Sequence, residues 1–220
     1  DAEVFIRWGV LNSTKVQIIK SSGVRLEKFV NLEEESSEKP VVCFAARLLR
    51  DKGVYEFVYA ARLLKEKGIQ ARFLLAGDLD IKNPSGLNID DLNKLKEDNY
   101  VEIIGYQKDM PALYSSSHII CLPSYREGLP KSLVEAAAAS RAIVTTDVPG
   151  CRDAIIPNKT GLLVPVKDPK KLADALEWLI EHPKERIAMG KAGRKFAEKV
   201  FPIEKIVQSH LDIYQELYNN

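Results

Sequence analysis

Short apolar runs that take turns with stretches of helical period leave this chain few folds to choose from. The runs are "KVQIIK" (Lys15–Lys20), "PVVCFAA" (Pro40–Ala46), "ARFLLAG" (Ala71–Gly77), "YVEIIG" (Tyr100–Gly105), "SHIICLPS" (Ser117–Ser124) and "RAIVTT" (Arg141–Thr146), with "TGLLVPV" as a last short one. Most lack polar alternation, which marks strands buried on both faces of a sheet. Between them, "GVYEFVYAARLLKEKG", "DMPALYSSS" and "LPKSLVEAAAAS" repeat apolar residues at helical spacing. Strand and helix in alternation require parallel strands joined by right-handed crossovers, so the expected fold is α/β with an open, doubly wound, mainly parallel sheet. After Asp168 the pattern is helical to the end, and the acidic, turn-prone "NLEEESSEKP" reads as a linker before the main sheet.

Charge narrows the partners. Lys and Arg number 32 against 31 Asp and Glu, a net charge of +1 in 220 residues, so no global field points to nucleic acid or to an anionic membrane. Any cationic site must be local. Cys43, Cys121 and Cys151 have no metal-ligand spacing, and two lie inside apolar runs, as expected of reduced, buried thiols in a cytosolic protein. No apolar run approaches the roughly 18 residues needed to cross a bilayer. The chain opens in mid-pattern without an initiator Met, and a piece cut from a longer protein is the expectation.

Open parallel sheets bind ligands outside the carboxyl ends of their strands. The first loop there, "FAARLLRDKG", has no glycine before Gly53. The G-x-G-x-x-G turn of dinucleotide enzymes is therefore missing, as is G-x-x-x-x-G-K-[ST] anywhere in the chain. Instead the loop carries Arg47, Arg50 and Lys52. A guanidinium fork and an ammonium at a helix entrance suit phosphate oxygens, with solvated surface charges as the competing reading.

The stretch "SYREGLPKSLVEAAAAS" (Ser124–Ser140) follows a buried strand. Pro130 suits a first helical position, so the helix points its free N–H groups into the crevice, where an anion is favoured. Lys131 opposes the usual acidic preference of a first turn; a lysine reaching into solvent is the plainer alternative. Glu135 lies about one and a half turns inside the helix, at roughly 1.5 Å per residue, and Glu127 lies ahead of it. A carboxylate on a nucleotide crevice accepts hydrogen bonds from ribose hydroxyls, a role that suits Glu135, while Glu127 at the loop apex faces what lies beyond the phosphates. Two unrelated glutamates remain the alternative for the bare spacing.

Taken in order, "ARLLRDKG", "FLLAGD", "VEIIGYQKDMPALYSSSHIICLPSYREGLPKSLVEAAAAS", "AIVTTDVPGCRDAI" and "NKTGLLVPVKD" resemble the donor-binding half of a retaining GT-B glycosyltransferase of family 4, over roughly Pro40 to Val200. The wording is most similar to bacterial enzymes that build capsule, lipopolysaccharide or other lipid-linked glycans. The resemblance implies a Rossmann-like domain over residues 39–200. Residues 1–38 would be the hinge and end of a truncated N-terminal domain. Residues 201–220 would form an amphipathic helix, apolar at Ile203, Ile206, Val207, Ile213, Tyr214 and Leu217, that packs on the absent half.

The resemblance also implies roles. Arg47 and Lys52 match the pair that clamps the donor diphosphate, Glu135 matches the glutamate that holds the ribose, and Glu127, the catalytic candidate, matches the one near the donor sugar. Leu129, Pro130, Lys131, Ser132 and Leu133, after Gly128, would offer backbone N–H groups at the helix mouth, and Ile104 and Tyr106 would line the base pocket. Pro130 and Lys131 stand where many relatives read "FGLV", which bears on sugar specificity. The donor is expected to be a nucleotide sugar, a UDP-sugar in particular, with no cofactor and no metal. "DLD" at Asp78–Asp80 looks like a metal-binding D-x-D but follows "FLLAG" and matches the family's "GD" loop.

The acceptor, a glycan or lipid-linked glycan, is expected to bind through the missing N-terminal domain, with no nucleic acid involved. The implied location is cytoplasmic, with the full-length protein associating peripherally with the inner face of the cytoplasmic membrane. The isolated chain is expected to bind donor and hardly turn over. His118, His182 and His210 are expected to be structural or exposed, and Ala136–Ala139 to allow close packing of helix on sheet. Two alternatives share the crevice: another GT-B enzyme such as an epimerase or phosphorylase, and a non-enzymatic nucleotide-binding or assembly module.

Overall fold

The structure is a computed structural model that describes residues 2–19, 23–29, 34, 37 and 39–219. Six strands form one sheet: β1 (Val41–Ala45), β2 (Arg72–Ala76), β3 (Glu102–Gly105), β4 (Ile119–Leu122), β5 (Ala142–Thr146) and β6 (Gly161–Val164). Their order is β3-β2-β1-β4-β5-β6 and every pairing is parallel. The strands that the apolar runs predict from Pro40 onward are all present. β1, β4 and β5 are buried at every residue, which is why their sequences show no polar alternation.

The helices are α1 (Ala2–Arg7), α2 (Val54–Glu66), α3 (Ile89–Asp98), α4 (Met110–Ser115), α5 (Lys131–Ala138), α6 (Pro149–Asp153), α7 (Pro169–Glu181), α8 (Pro183–Val200) and α9 (Ile203–Asn219). Gly68, in the left-handed region at φ 85°, closes the end of α2. Helix α3 was not expected. Its start is set by a capping box in which Asn88 and Asp91 each accept a backbone N–H of the other. Ala136–Ala138 in α5 and Ala139, which caps it, are fully buried, and α8 crosses the end of that helix at Gly190, where a β-carbon would stand 2.8 Å from the Ser140 carbonyl carbon.

One expected strand does not form. "KVQIIK" begins in a 3-10 turn at Ser13–Lys15 and continues through Val16–Ile19 without a ladder partner, Lys20 lying outside the described residues. Local β-propensity is satisfied only beside a sheet edge, and this segment instead reaches α9, where Gln17 Nε2 donates to Glu216 Oε2 at 3.1 Å.

Val24, Phe29 and Glu34, ahead of the sheet, are bound into the domain. Val24 N donates to Phe201 O at 2.8 Å and Val24 O accepts from Ile203 N at 3.1 Å. Phe29 belongs to the core, and its carbonyl accepts from Arg194 Nη1 at 2.6 Å. Within the expected linker, Glu34 is fixed by Arg186, Nη2 to Oε1 2.6 Å, with side chains 6% and 4% exposed. Arg186 also donates to the carbonyls of Leu179 and Ile180 at the end of α7. Helix α9 buries Ile206 but leaves Val207, Leu211, Tyr214 and Leu217 exposed.

Candidate functional site

From β1 the chain runs to β2 and β3 on one side and then returns to β4 on the other. The carboxyl ends of β1 and β4 thus flank the point where strand order reverses, the place where such sheets hold ligands. The loops there are welded together. Asp51 O accepts from Tyr125 N at 2.8 Å and from Ser124 Oγ at 3.0 Å. Gly53, at φ 77°, lies against Pro123, whose carbonyl carbon would be 2.8 Å from any β-carbon there.

This union brings Lys52 and Glu127 together. Lys52 Nζ is 2.5 Å from Glu127 Oε1, with side chains 21% and 9% exposed. Glu127 is therefore not a free carboxylate at a loop apex: it is the counterion of one proposed phosphate ligand. Sequence separation gave no sign of this contact, which follows from the adjacency of β1 and β4. The Glu127–Gly128 peptide is backed by α6, where a β-carbon on Gly150 would overlap Gly128 O and stand 2.6 Å from Glu127 O. Behind it, Thr146 Oγ1 donates to Ser124 O and Thr145 Oγ1 donates to Leu122 O at 2.7 Å. Sequence reasoning missed Gly150 as a support; its signal was the "TDVPGCRD" run directly after an expected strand.

Arg47 lies apart from that pair. Its side chain is 62% exposed and its Nη1 is 2.7 Å from Asp80 Oδ2. It borders a cavity of about 350 Å³ whose walls include Ala45, Ala76, Gly77, Tyr106, Gln107 and Met110. Gly77 makes this wall possible: at φ 149° its α-carbon lies against Ala46, whose carbonyl carbon would be 2.9 Å from a β-carbon. Tyr106 stands on the wall of this cavity and is exposed. Ile104 does not: it packs partly buried against the core, and its carbonyl accepts from Gln107 Nε2 at 2.7 Å. Asp80 is engaged by Arg47, and among the described residues no group of three or more His, Cys, Asp and Glu side chains is arranged to hold a metal ion.

A second cleft, of about 460 Å³, contains Glu135. Arg25, Lys28, Lys108 and Lys131 surround it, and Met110 lines both this cleft and the Arg47 cavity. Burial pushes the Glu135 carboxyl up from its ordinary value, opposed by Lys131, the Tyr114 hydroxyl and Lys28. Lys131 Nζ is 3.5 Å from Oε1 and Tyr114 Oη is 3.4 Å from Oε2. Lys131, 71% exposed, thus answers a carboxylate one turn on within its own helix.

The helix mouth differs by one residue from the expectation. Helix α5 begins at Lys131, and Pro130, at ψ 122°, is the extended residue before it. Proline has no N–H to offer, and the N–H of Leu133 already donates to Pro130 O at 3.1 Å. Donors for an anion there reduce to the amides of Leu129, Lys131 and Ser132, the last two having no carbonyl four residues back within the helix. His118 is structural, its Nδ1 accepting from Val41 N at 3.0 Å. His182 and His210 each hold Nδ1 2.8 Å from a carbonyl one turn back.

The sequence signature of the family described as "Glycosyl transferases group 1" matches residues 27–196. The N,N'-diacetylbacillosaminyl-diphospho-undecaprenol alpha-1,3-N-acetylgalactosaminyltransferase of Campylobacter jejuni is 35% identical over 98% of this chain and 58% of its own length. The capsular polysaccharide biosynthesis glycosyltransferase CapM of Staphylococcus aureus is 28% identical over 88% of this chain and 53% of its own. HepE of Anabaena, solved in complex with UDP and glucose, superposes with a TM-score of 0.80 at 18% identity, over 97% of this chain and 60% of that one. The chain spans little more than half the length of these proteins. The family signature covers most of the chain, and the fold agrees with it: the chain belongs to the group 1 glycosyl transferase family.

Proposed function

We propose that this chain is the donor-binding half of a retaining glycosyltransferase that takes a nucleotide sugar, a UDP-sugar in the first instance. The observation that carries the reading is the row of subsites along the crevice: an apolar cavity with Tyr106 and Arg47, a cleft around Glu135, and the Lys52–Glu127 pair beside the mouth of α5. The base lies against Tyr106, Glu135 accepts from the ribose hydroxyls, and Arg47, Lys52 and the amides of Leu129, Lys131 and Ser132 take the diphosphate. Glu127 then faces the sugar.

Transfer with retained configuration passes through an oxocarbenium-like state, and charge accumulates on the departing diphosphate. Fixed cations and amides aimed at that charge stabilise it without reorganisation. Neither a metal nor a further cofactor has a part in this scheme. UDP in the HepE complex and the lipid-diphosphate acceptor in the name of the C. jejuni relative support a UDP-sugar donor and a lipid-linked or polysaccharide acceptor. The acceptor is taken to bind the part of the enzyme beyond this chain, at the cytoplasmic face of the membrane. That association is proposed to be peripheral, and no described helix is long and apolar enough to cross a membrane.

Thermal shifts with UDP, GDP and ADP test the reading. One of them raises the midpoint, Arg47→Ala removes the shift, and Lys184→Ala on α8 leaves it intact. A chain that responds to none of the three is not a donor domain.

A further inference from the structure

Glu127 and Lys52 neutralise one another where the diphosphate is proposed to sit. Lys52 ends the 3-10 turn Arg50–Lys52. The backbone that carries Glu127 is held by Ser124 Oγ, which donates to Asp51 O and Arg126 O, and by Gly150 against the Glu127 carbonyl. With the side chains 21% and 9% exposed, solvent screens the pair poorly. A carboxylate in an anion subsite works against anion binding unless the ligand brings something that suits it.

We propose that the Lys52–Glu127 pair makes this crevice prefer the intact nucleotide sugar over the free nucleoside diphosphate, an inference that rests on the donor-site reading above. The distal phosphate of a nucleotide sugar is joined to the sugar by an ester and to the proximal phosphate by an anhydride, so it carries one negative charge, and the attached sugar presents hydroxyl donors. When that phosphate takes Lys52, the Glu127 carboxylate exchanges an ammonium for sugar hydroxyls and remains satisfied. The free diphosphate ends in a terminal phosphate, held only by the anhydride, whose second ionisation lies near pH 6, so that phosphate carries close to two charges at neutral pH. It draws Lys52 away and gives Glu127 only like charge in return. The same pair therefore weakens hold on the diphosphate left when transfer breaks the sugar–phosphate bond, and favours its departure.

Calorimetric titration of the 220-residue chain with UDP and UDP-glucose tests this, with GDP and GDP-mannose, and ADP and ADP-glucose, in parallel. Glu127→Gln keeps the shape and removes the charge: it is expected to bind the free diphosphate about tenfold more tightly, while the nucleotide sugar gains nothing, so the preference falls. Lys52→Gln leaves the carboxylate uncompensated and moves the preference the other way, with the diphosphate losing more than the sugar conjugate. The two opposite signs keep the inference testable if one variant fails to fold. A Glu127→Gln chain that binds the diphosphate no more tightly than the parent, or a Lys52→Gln chain with an unchanged preference, overturns the inference and leaves the donor site standing. A parent chain that binds none of the six ligands overturns both.

Discussion

The α-carbon of Gly150 lies so close to the Glu127–Gly128 peptide that a β-carbon on it would stand 2.6 Å from the Glu127 carbonyl oxygen and overlap that of Gly128. The neighbour is backbone, which cannot rotate aside as a flexible side chain could. Gly150→Ala must therefore push the Glu127 loop outward or shift α6. Overpacking of this kind costs about 1–3 kcal/mol, to be read as a lowered midpoint in urea. The displaced loop should also part Glu127 from Lys52, so nucleotide titration of the same variant should show altered affinity where Lys184→Ala shows none.

The contrast between Gly150 and Glu127 marks the limit of what was legible. Glu127, Lys52 and Glu135 were legible through their places in the loops and helix that follow buried runs, where an open parallel sheet holds ligands, and the sheet was legible because β1, β4 and β5 are apolar throughout. The strands were local facts. The pairing of Lys52 with Glu127 was not: it depends on β4 returning beside β1, an order that no local pattern states. "KVQIIK" failed for the same reason, since propensity names no partner strand. Helix α3 was legible in principle through Asn88 and Asp91, but the turn-rich "KNPSG" ahead of it masked the capping signal.

Glu34 and Arg186 form an ion pair with both side chains almost wholly enclosed. Removing one partner leaves an uncompensated buried charge, which costs about 3–5 kcal/mol. Glu34→Ala should therefore unfold at a much lower urea concentration than the parent. Replacing both, with Arg186→Met alongside, should recover most of the loss. A single substitution with no measurable effect would mean that the segment around Glu34 adds nothing to the domain's stability.

Gly190 sits mid-helix in α8, where alanine is ordinarily preferred by about 1 kcal/mol. Here the order reverses. A methyl group at this position would lie 2.8 Å from the Ser140 carbonyl carbon and 3.4 Å from Arg141 N, at the end of α5. Gly190→Ala should destabilise the domain by about 1–3 kcal/mol, whereas Ala at Gly193, where the nearest atom would be an ordinary 3.7 Å away, should be neutral or slightly stabilising. Equilibrium unfolding of the two variants side by side separates contact from propensity.

Glu135 links stability to function through its titration. Burial raises its carboxyl above the ordinary 4.5, chiefly by desolvation, with Lys131 opposing. Between the unfolded value and the raised folded value, the native chain binds more protons than the unfolded one, so this group's contribution falls as pH rises through that window. At neutral pH the ionised carboxylate is thus a cost that the fold carries. Glu135→Gln removes it: the variant should melt above the parent at pH 7, the difference should shrink as the pH falls, and it should vanish below about 4.5, where both states are protonated. The same variant should bind a ribonucleoside diphosphate more weakly, because an amide accepts the paired ribose hydroxyls less well than a carboxylate. Melting curves across pH, paired with titrations of UDP and 2'-deoxy-UDP, measure both halves. A variant that gains stability while losing its preference for the ribose form would identify Glu135 as a residue kept for binding at the expense of the fold.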